Sequence, residues 1–307
     1  MQTFYSHGKL LLTAEYVVLD GAKALALPTK FGQILTVESI DEQKIIWESI
    51  DCKGTVWFED ELNIANNEIA TSQKTPRNDN TISNRLLEIL KAAKTLNPEF
   101  LNTTKGYKVT TTLEFANNWG LGSSSTLLNN IAQWAKVDAF ALSNATFGGS
   151  GYDIACAQNN SAITYTLEGS KPLVKRLSFN KTFTDQLFFM HLNRKQNSRD
   201  SIKTYRDNKS NIESVIFKIN NITSKLINSK TIEDFNMLIE QHEILIGTIT
   251  KQTPIKERLF SDYKHQIKSL GGWNGDFVLV TGEKEYIESY FTSKGYNTII
   301  SFKDMIL

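Results

Sequence analysis

The amino-acid sequence predicts an α+β protein in two domains, and three observations carry that prediction. Residues 33–59 place β-branched and aromatic side chains at short spacing, whereas residues 200–270 space apolar ones every three or four positions, so a strand-rich half precedes a mostly helical one. Between them, a glycine- and serine-rich loop leads from a strand into a helix. The length of 307 residues, 40% of them hydrophobic, suffices for two modest cores.

Strands are expected over residues 9–19, 33–40, 44–49 and 55–59. The first helix covers residues 81–96, because Ile82, Leu86, Ile89, Leu90 and Ala93 share one face and Asn97-Pro98 ends it. Residues 108–115 alternate as a strand that delivers the chain to Trp119, and residues 123–135 are the helix behind the loop. Residues 148–151 make a second glycine-rich turn, followed by a short helical turn after Asp153 and a strand over 162–167. The text from 170 to 186 is polar and irregular. The domain boundary is therefore set there, with a first domain of residues 1–183 and a second of residues 184–307. The second opens with a strand over 187–192 and continues in helices over 200–219, 231–250 and 254–270. A strand over 277–281, a helix over 285–293 and a last strand close it, which is an α+β layering.

Composition narrows the function. Lys and Arg number 34 against 33 Asp and Glu, a net charge of +1, so no basic surplus points to nucleic acid. No window approaches the roughly 20 apolar residues of a spanning helix, and the N-terminus lacks the pattern of a secretory signal. A cytoplasmic protein without nucleic-acid or membrane partners, monomeric or homodimeric, is expected. Cys52 and Cys156 are too few for a disulfide framework, and four scattered histidines argue against zinc.

The loop is the most informative stretch: Asn118-Trp119-Gly120-Leu121-Gly122-Ser123-Ser124-Ser125-Thr126. Two glycines let the backbone approach a ligand closely, and the helix that follows offers unpaired N–H donors with partial positive charge behind them. An anion fits there. Neither Gly-x-x-x-x-Gly-Lys-Ser/Thr nor a full Gly-x-Gly-x-x-Gly occurs, so any lysine must come from elsewhere. Ser123 and Ser125 read equally well as caps of the helix.

Together with Gly8-Lys9-Leu10-Leu11-Leu12-Thr13-Ala14-Glu15-Tyr16 and Gly148-Gly149-Ser150-Gly151-Tyr152-Asp153-Ile154-Ala155, this loop resembles the GHMP kinase superfamily of small-molecule kinases. A glycine-rich turn before a C-terminal strand, Gly271-Gly272-Trp273-Asn274-Gly275-Asp276, matches a further motif. The resemblance runs from about residue 5 to residue 300 and is closest to phosphomevalonate kinase and then mevalonate kinase. It implies a ribosomal-S5-like N-terminal domain, a ferredoxin-like C-terminal domain, and ATP with Mg2+ as cofactors. Gly120, Leu121, Gly122, Ser123, Ser124 and Ser125 would hold the ATP phosphates, with Ser124 as the magnesium ligand. Asp153 would take or orient the proton of the substrate hydroxyl, although it reads on its own as an N-cap. Lys9 would favour the alkoxide, although a lone lysine at a strand start is usually solvated.

Glu15 matches a glutamate that supports the site. On one continuous strand, Lys9 and Glu15 would share a face. Lys195, Ser198 and Arg199 would bind an anionic small-molecule substrate, although a basic loop is more often plain surface. Adenine contacts are sought at Trp57, Phe58 and residues 66–80. The sequence departs from the family at Leu142, where a second magnesium carboxylate is expected. That departure also admits a ligand sensor or partner protein with little turnover.

Overall fold

The computed structural model describes residues 1–65, 68–71, 80–102, 104–194, 202–203, 205–207, 212–273 and 275–307. The chain divides into two discontinuous units. One comprises Met1–Gly8, Phe31–Asn117 and Gly122–Gln158, and the other Lys9–Lys30, Asn118–Leu121 and Asn159–Leu307.

In the first unit, β3 (Lys44–Ile50), β4 (Val56–Ala65), β5 (Glu68–Thr71) and β6 (Gly106–Leu113) join the later part of β2 (Ala24–Ile40) in the order β5-β4-β3-β6-β2. β3 and β6 run parallel, and the other neighbours are antiparallel. Strict alternation along β3 buries Ile45, Trp47 and Ser49. α1 (Asn80–Leu96), α2 (Ser123–Ala135) and α3 (Ala139–Thr146) complete the core, where Leu86, Ile89, Leu90, Leu128, Ile131 and Leu142 cluster with Trp47, Leu62 and Val109. Burying each large apolar side chain contributes about 1.5–3 kcal/mol. Asp138 caps α3, its carboxylate accepting from Ala141 N at 2.7 Å. The short α4 (Tyr152–Ala157) follows the glycine turn.

In the second unit, the early part of β2 pairs with β7 (Ile163–Glu168), which pairs with β8 (Lys171–Arg176). A second, antiparallel sheet has the order β10 (Ile267–Ser269), β11 (Phe277–Thr281), β9 (Leu187–His191), β12 (Ile299–Ser301). Its helices are α5 (Ile212–Asn228), α6 (Ile232–Thr250), α7 (Ile255–Leu259), α8 (Lys284–Ser293) and α9 (Phe302–Met305). Thr231 caps α6, and Lys251 closes it in the left-handed conformation.

Several expectations are corrected. The strand predicted over 9–19 belongs to β1 (Gln2–Leu11) and ends at Leu11. Beyond it Ala14 and Tyr16 take φ of 71° and 65°, and a single 3-10 turn, Val17–Asp20, follows, so the apolar run is a buried turn. The helix predicted over 254–270 stops at Leu259, because Ile267 and its neighbours pair with β11 instead. Short apolar runs do not separate helix from strand, and the vacant edge of β11 decides. The stretch read as irregular after residue 170 contains β8. The predicted helix over 200–219 lies partly outside the described residues, and α5 continues to Asn228. Residues 159–183 group with the second unit, where β7 pairs with the start of β2 and β8 with β7, and Thr13 and Lys23 bond to α5.

Candidate functional site

The glycine- and serine-rich loop passes from the second unit into the first between Leu121 and Gly122. On the first-unit side, Gly122 is the N-cap of α2 with φ 91° and ψ 41°, a left-handed conformation that glycine takes without steric cost. No side chain caps this helix. Ser125 is buried and donates to Gly122 O at 2.8 Å, Ser123 is half-buried, and Ser124 is exposed. The serine cap is therefore not formed. The N–H groups of the first turn keep their partial positive charge without a side-chain acceptor, which is a geometry for an anion.

A buried polar network holds α2 in place. Asn130 Nδ2 donates to Gln33 O at 2.8 Å, Ser6 Oγ to Asn130 Oδ1 at 2.6 Å, and Thr126 Oγ1 to Gln33 Oε1 at 2.7 Å. Asn129 Nδ2 donates to Ser6 Oγ at 2.8 Å, and Asn129 Oδ1 accepts from Gln158 Nε2 at 3.1 Å. Gln158 is the C-cap of α4, so this last bond ties the loop's helix to the helix that carries Asp153.

Asp153 is half-buried in the first turn of α4, and its Oδ1 accepts from Ile154 N at 3.0 Å. The N-cap is Gly151, with φ 83° and no side-chain cap bond. Asp153 is thus a helical residue, and the cap reading falls away. Leu142 is completely buried in the apolar core, a place that suits no carboxylate. Among the described residues no cluster of three His, Cys, Asp or Glu side chains could hold a metal ion.

On the second-unit side, Lys9 is half-buried and bound to the loop twice. Its Nζ donates to Gly120 O at 2.9 Å, and its backbone N–H donates to Leu121 O at 2.9 Å. The solvated-lysine reading does not hold. Gly120 has φ 67°, and a Cβ there would run into the Asp276 carboxylate. Asp276 belongs to the C-terminal glycine turn, which is thereby packed on the loop. Its backbone N–H donates to Arg194 O at 2.8 Å, while its carbonyl accepts from Leu192 N at 2.8 Å. His191 Nε2 lies 3.1 Å from Asn118 O, and a carbonyl only accepts, so this nitrogen carries the proton. The Trp119 ring meets Phe277 edge-on at 5.4 Å.

Glu15 does not share a strand face with Lys9. It is completely buried, and its Oε1 accepts from Lys268 Nζ at 2.5 Å. Lys268 also reaches Glu243 Oε1 at 3.4 Å and donates to Ser269 O at 2.8 Å, and Ser269 Oγ donates to Glu243 Oε2 at 2.8 Å. One cation thus faces two carboxylates away from water. Burial, opposed by Lys268, pushes the Glu15 pKa up to about 7, and burial raises that of Glu243. Burial and Lys268 hold His242 well below its usual range, hence neutral. Its Nε2 accepts from Ala14 N at 2.9 Å, so the 3.3 Å approach of Glu15 Oε2 sets two lone pairs face to face rather than forming an ion pair. A proton on Glu15 relieves that contact.

Lys195, Ser198 and Arg199 lie outside the described residues. So do residues 66–67 and 72–79 of the stretch considered for adenine, while Phe58 is buried in the core and Trp57 is 40% exposed. His191, Asp276, His242, Glu243 and Lys268 escaped sequence reasoning. Asp276 follows a recognised glycine turn and was legible there. Lys268 carried no signal, being a lone lysine in an apparent helix.

No family sequence model and no curated protein sequence matches the chain. Solved structures do. Streptococcus pneumoniae phosphomevalonate kinase in complex with phosphomevalonate and AMPPNP aligns over 98% of this chain and 100% of its own, at 13% identity and a TM-score of 0.72. Methanococcus jannaschii mevalonate kinase aligns over 98% of both chains at 14% identity and 0.69. Lactococcus lactis galactokinase complexed with galactose aligns over 100% of this chain and 93% of its own at 13% and 0.70. At such identities it is the fold that is shared, and nearly every residue of this chain takes part in it: the chain has the fold of the GHMP kinases.

Proposed function

We propose that this chain is an ATP-dependent kinase that phosphorylates a small anionic metabolite, phosphomevalonate in the first place and mevalonate in the second. The observation that carries this reading is the loop itself. A left-handed glycine opens α2 with no side-chain cap, and Lys9 is bonded to the same loop through Nζ and backbone.

The donor set fits Mg2+-ATP. The loop lets a backbone approach phosphate oxygens, and the exposed Ser124 hydroxyl suits a cation that keeps most of its ligands as phosphate oxygens and water. Bound ATP supplies the phosphoryl group, and Mg2+ offsets its charge. The chain's own part is positioning and charge. Asp153 takes or orients the proton of the substrate hydroxyl, and Lys9 favours the resulting oxyanion. Glu15 supports the Lys9 segment from the buried cluster rather than touching substrate. Lys195, Ser198 and Arg199 bind the substrate's anionic end, and a cytoplasmic location follows the supply of ATP.

Leu142 favours a second reading, a ligand-binding protein with little turnover, because a buried leucine supplies no second metal carboxylate. One assay separates the two. ATP consumption is measured with phosphomevalonate, mevalonate, homoserine and galactose. We expect turnover with phosphomevalonate, and a loss of about a hundredfold in Asp153→Asn and Lys9→Met with ATP binding retained, the equivalent of about 3 kcal/mol. Full turnover in a folded Asp153→Asn protein would remove Asp153 from the mechanism. No turnover on any substrate would leave the binding reading.

A further inference from the structure

We infer a second anion-binding groove, within the second unit, suited to a phosphate ester that carries an apolar group. The groove has a volume of about 740 Å3, in the range of roughly 300–1,000 Å3 typical of small-molecule sites. Lys30, Arg176, Lys181 and Lys303 line it, and no Asp or Glu side chain does. None of its lining residues belongs to the glycine- and serine-rich loop or to the Lys9 segment. The inference therefore stands whether or not the chain is a kinase.

The cations are arranged for an anion in different ways. Arg176 ends β8, and its Nε donates to Asn159 Oδ1 at 2.6 Å. That bond orients the guanidinium, and its two terminal nitrogens make no hydrogen bond among the described residues. Such a fork suits the paired oxygens of a phosphate. Lys303 is exposed at the start of α9 and likewise makes no hydrogen bond among the described residues. Lys181 is a fixed charge. Its Nζ donates to Ile227 O at 2.7 Å and Ser229 O at 2.8 Å, and it lies 4.9 Å from the Phe179 ring. Burial lowers its pKa, so a negative ligand would favour its charged form.

Arg176, Lys181 and Lys303 place like charges around one concavity, where they repel one another. An anion removes that cost. The floor adds a second demand, because Phe179 and Phe302 are buried with rings 6.0 Å apart, and Leu177 and Ile306 flank them. A bare oxyanion would meet the cations and leave the half-buried Leu177 and the accessible edges of the two rings uncovered. A phosphate ester with an apolar or aromatic body covers them.

The test is a titration of the full-length protein with phenyl phosphate and with inorganic phosphate, read by residue-resolved amide chemical shifts. We expect saturable shifts at Arg176, Phe179 and Lys303, with phenyl phosphate binding at least tenfold more tightly than phosphate. Arg176→Gln combined with Lys303→Gln, both surface changes, should weaken binding at least tenfold at an unchanged melting temperature. Shifts confined to residues 120–126 would place the anion in the loop and overturn the proposal. Equal, weak binding of both probes that vanishes with added salt would mean an adventitious ion only. A groove covered by a second copy, seen as dimerisation by sedimentation with no shifts at these residues, would overturn it as well.

Discussion

Lys268 illustrates how much a single buried charge can organise. It is wholly enclosed, yet it binds Glu15 in the Lys9 segment, Glu243 on α6 and the carbonyl of Ser269 on β10. Removing one partner of such a cluster leaves uncompensated buried charge, at a cost of about 3–5 kcal/mol. Lys268→Met should therefore lower the urea midpoint strongly, and an unchanged midpoint would mean that Glu15 and Glu243 are both already neutral. The cluster also sets a pH dependence. The folded-state pKa of Glu15, pushed up to about 7, lies above its free value of 4.5, so the folded chain binds that proton more tightly than the unfolded chain. The stability this provides is complete below the unfolded value and is lost as pH rises toward and through 7, by at most about 1.4 kcal/mol per pH unit. Glu243 shifts in the same direction. Glu15→Gln has no such proton, and its stability should vary less between pH 5 and about 7.5. Parallel slopes in the two proteins would assign the titration elsewhere.

At the scale of the element, α2 is a helix whose start is left open while its flank is tightly bonded. Asn129 and Asn130 are buried polar residues in a helix interior, and each is satisfied by a partner on β1, β2 or α4. The network keeps the first turn in place so that its N–H groups remain directed at one spot. Gly122→Val tests whether that spot binds nucleotide. A β-branched residue at φ 91° is strained, and its side chain would fill the approach to the helix start. Calorimetry should show nucleotide binding abolished, and unchanged affinity would reduce the loop to a structural turn. The periodicity of α1, α2 and α6 was legible because their apolar faces persist for several turns. β10 was not, because three residues carry no period of their own and take their conformation from β11.

Across the whole molecule, the chain crosses between its two units several times, and β2 contributes to both. A cut at 183/184 would separate Glu15 from Lys268 and Thr13 from Thr223, all partners within one unit. Fragments of residues 1–183 and 184–307 should each fail to fold, with collapsed amide dispersion in NMR spectra. A well-dispersed spectrum from either fragment would support a domain boundary at 183/184. The same crossing explains why linear reading placed a boundary in the polar stretch after residue 170: composition marks where a chain is exposed, and spatial division follows which strands pair.

The candidate roles of Lys9, Ser124 and Asp153 are what the resemblance to the GHMP kinases implies; what the sequence determined by itself was the α+β class, the helix behind the loop and the strand that precedes it. These rest on local physics, namely hydrophobic period, glycine freedom and the donors of a helix start. Tertiary structure alone decided that Glu15 turns inward to Lys268, that Lys9 is bonded to Gly120, that Asp276 closes on the same glycine, and that Gly122 rather than a serine caps α2. Each of these joins residues far apart in the chain, or depends on a dihedral angle that the surrounding packing imposes. Burial and charge neutralisation act between whatever groups the fold brings together, and no local pattern records them in advance.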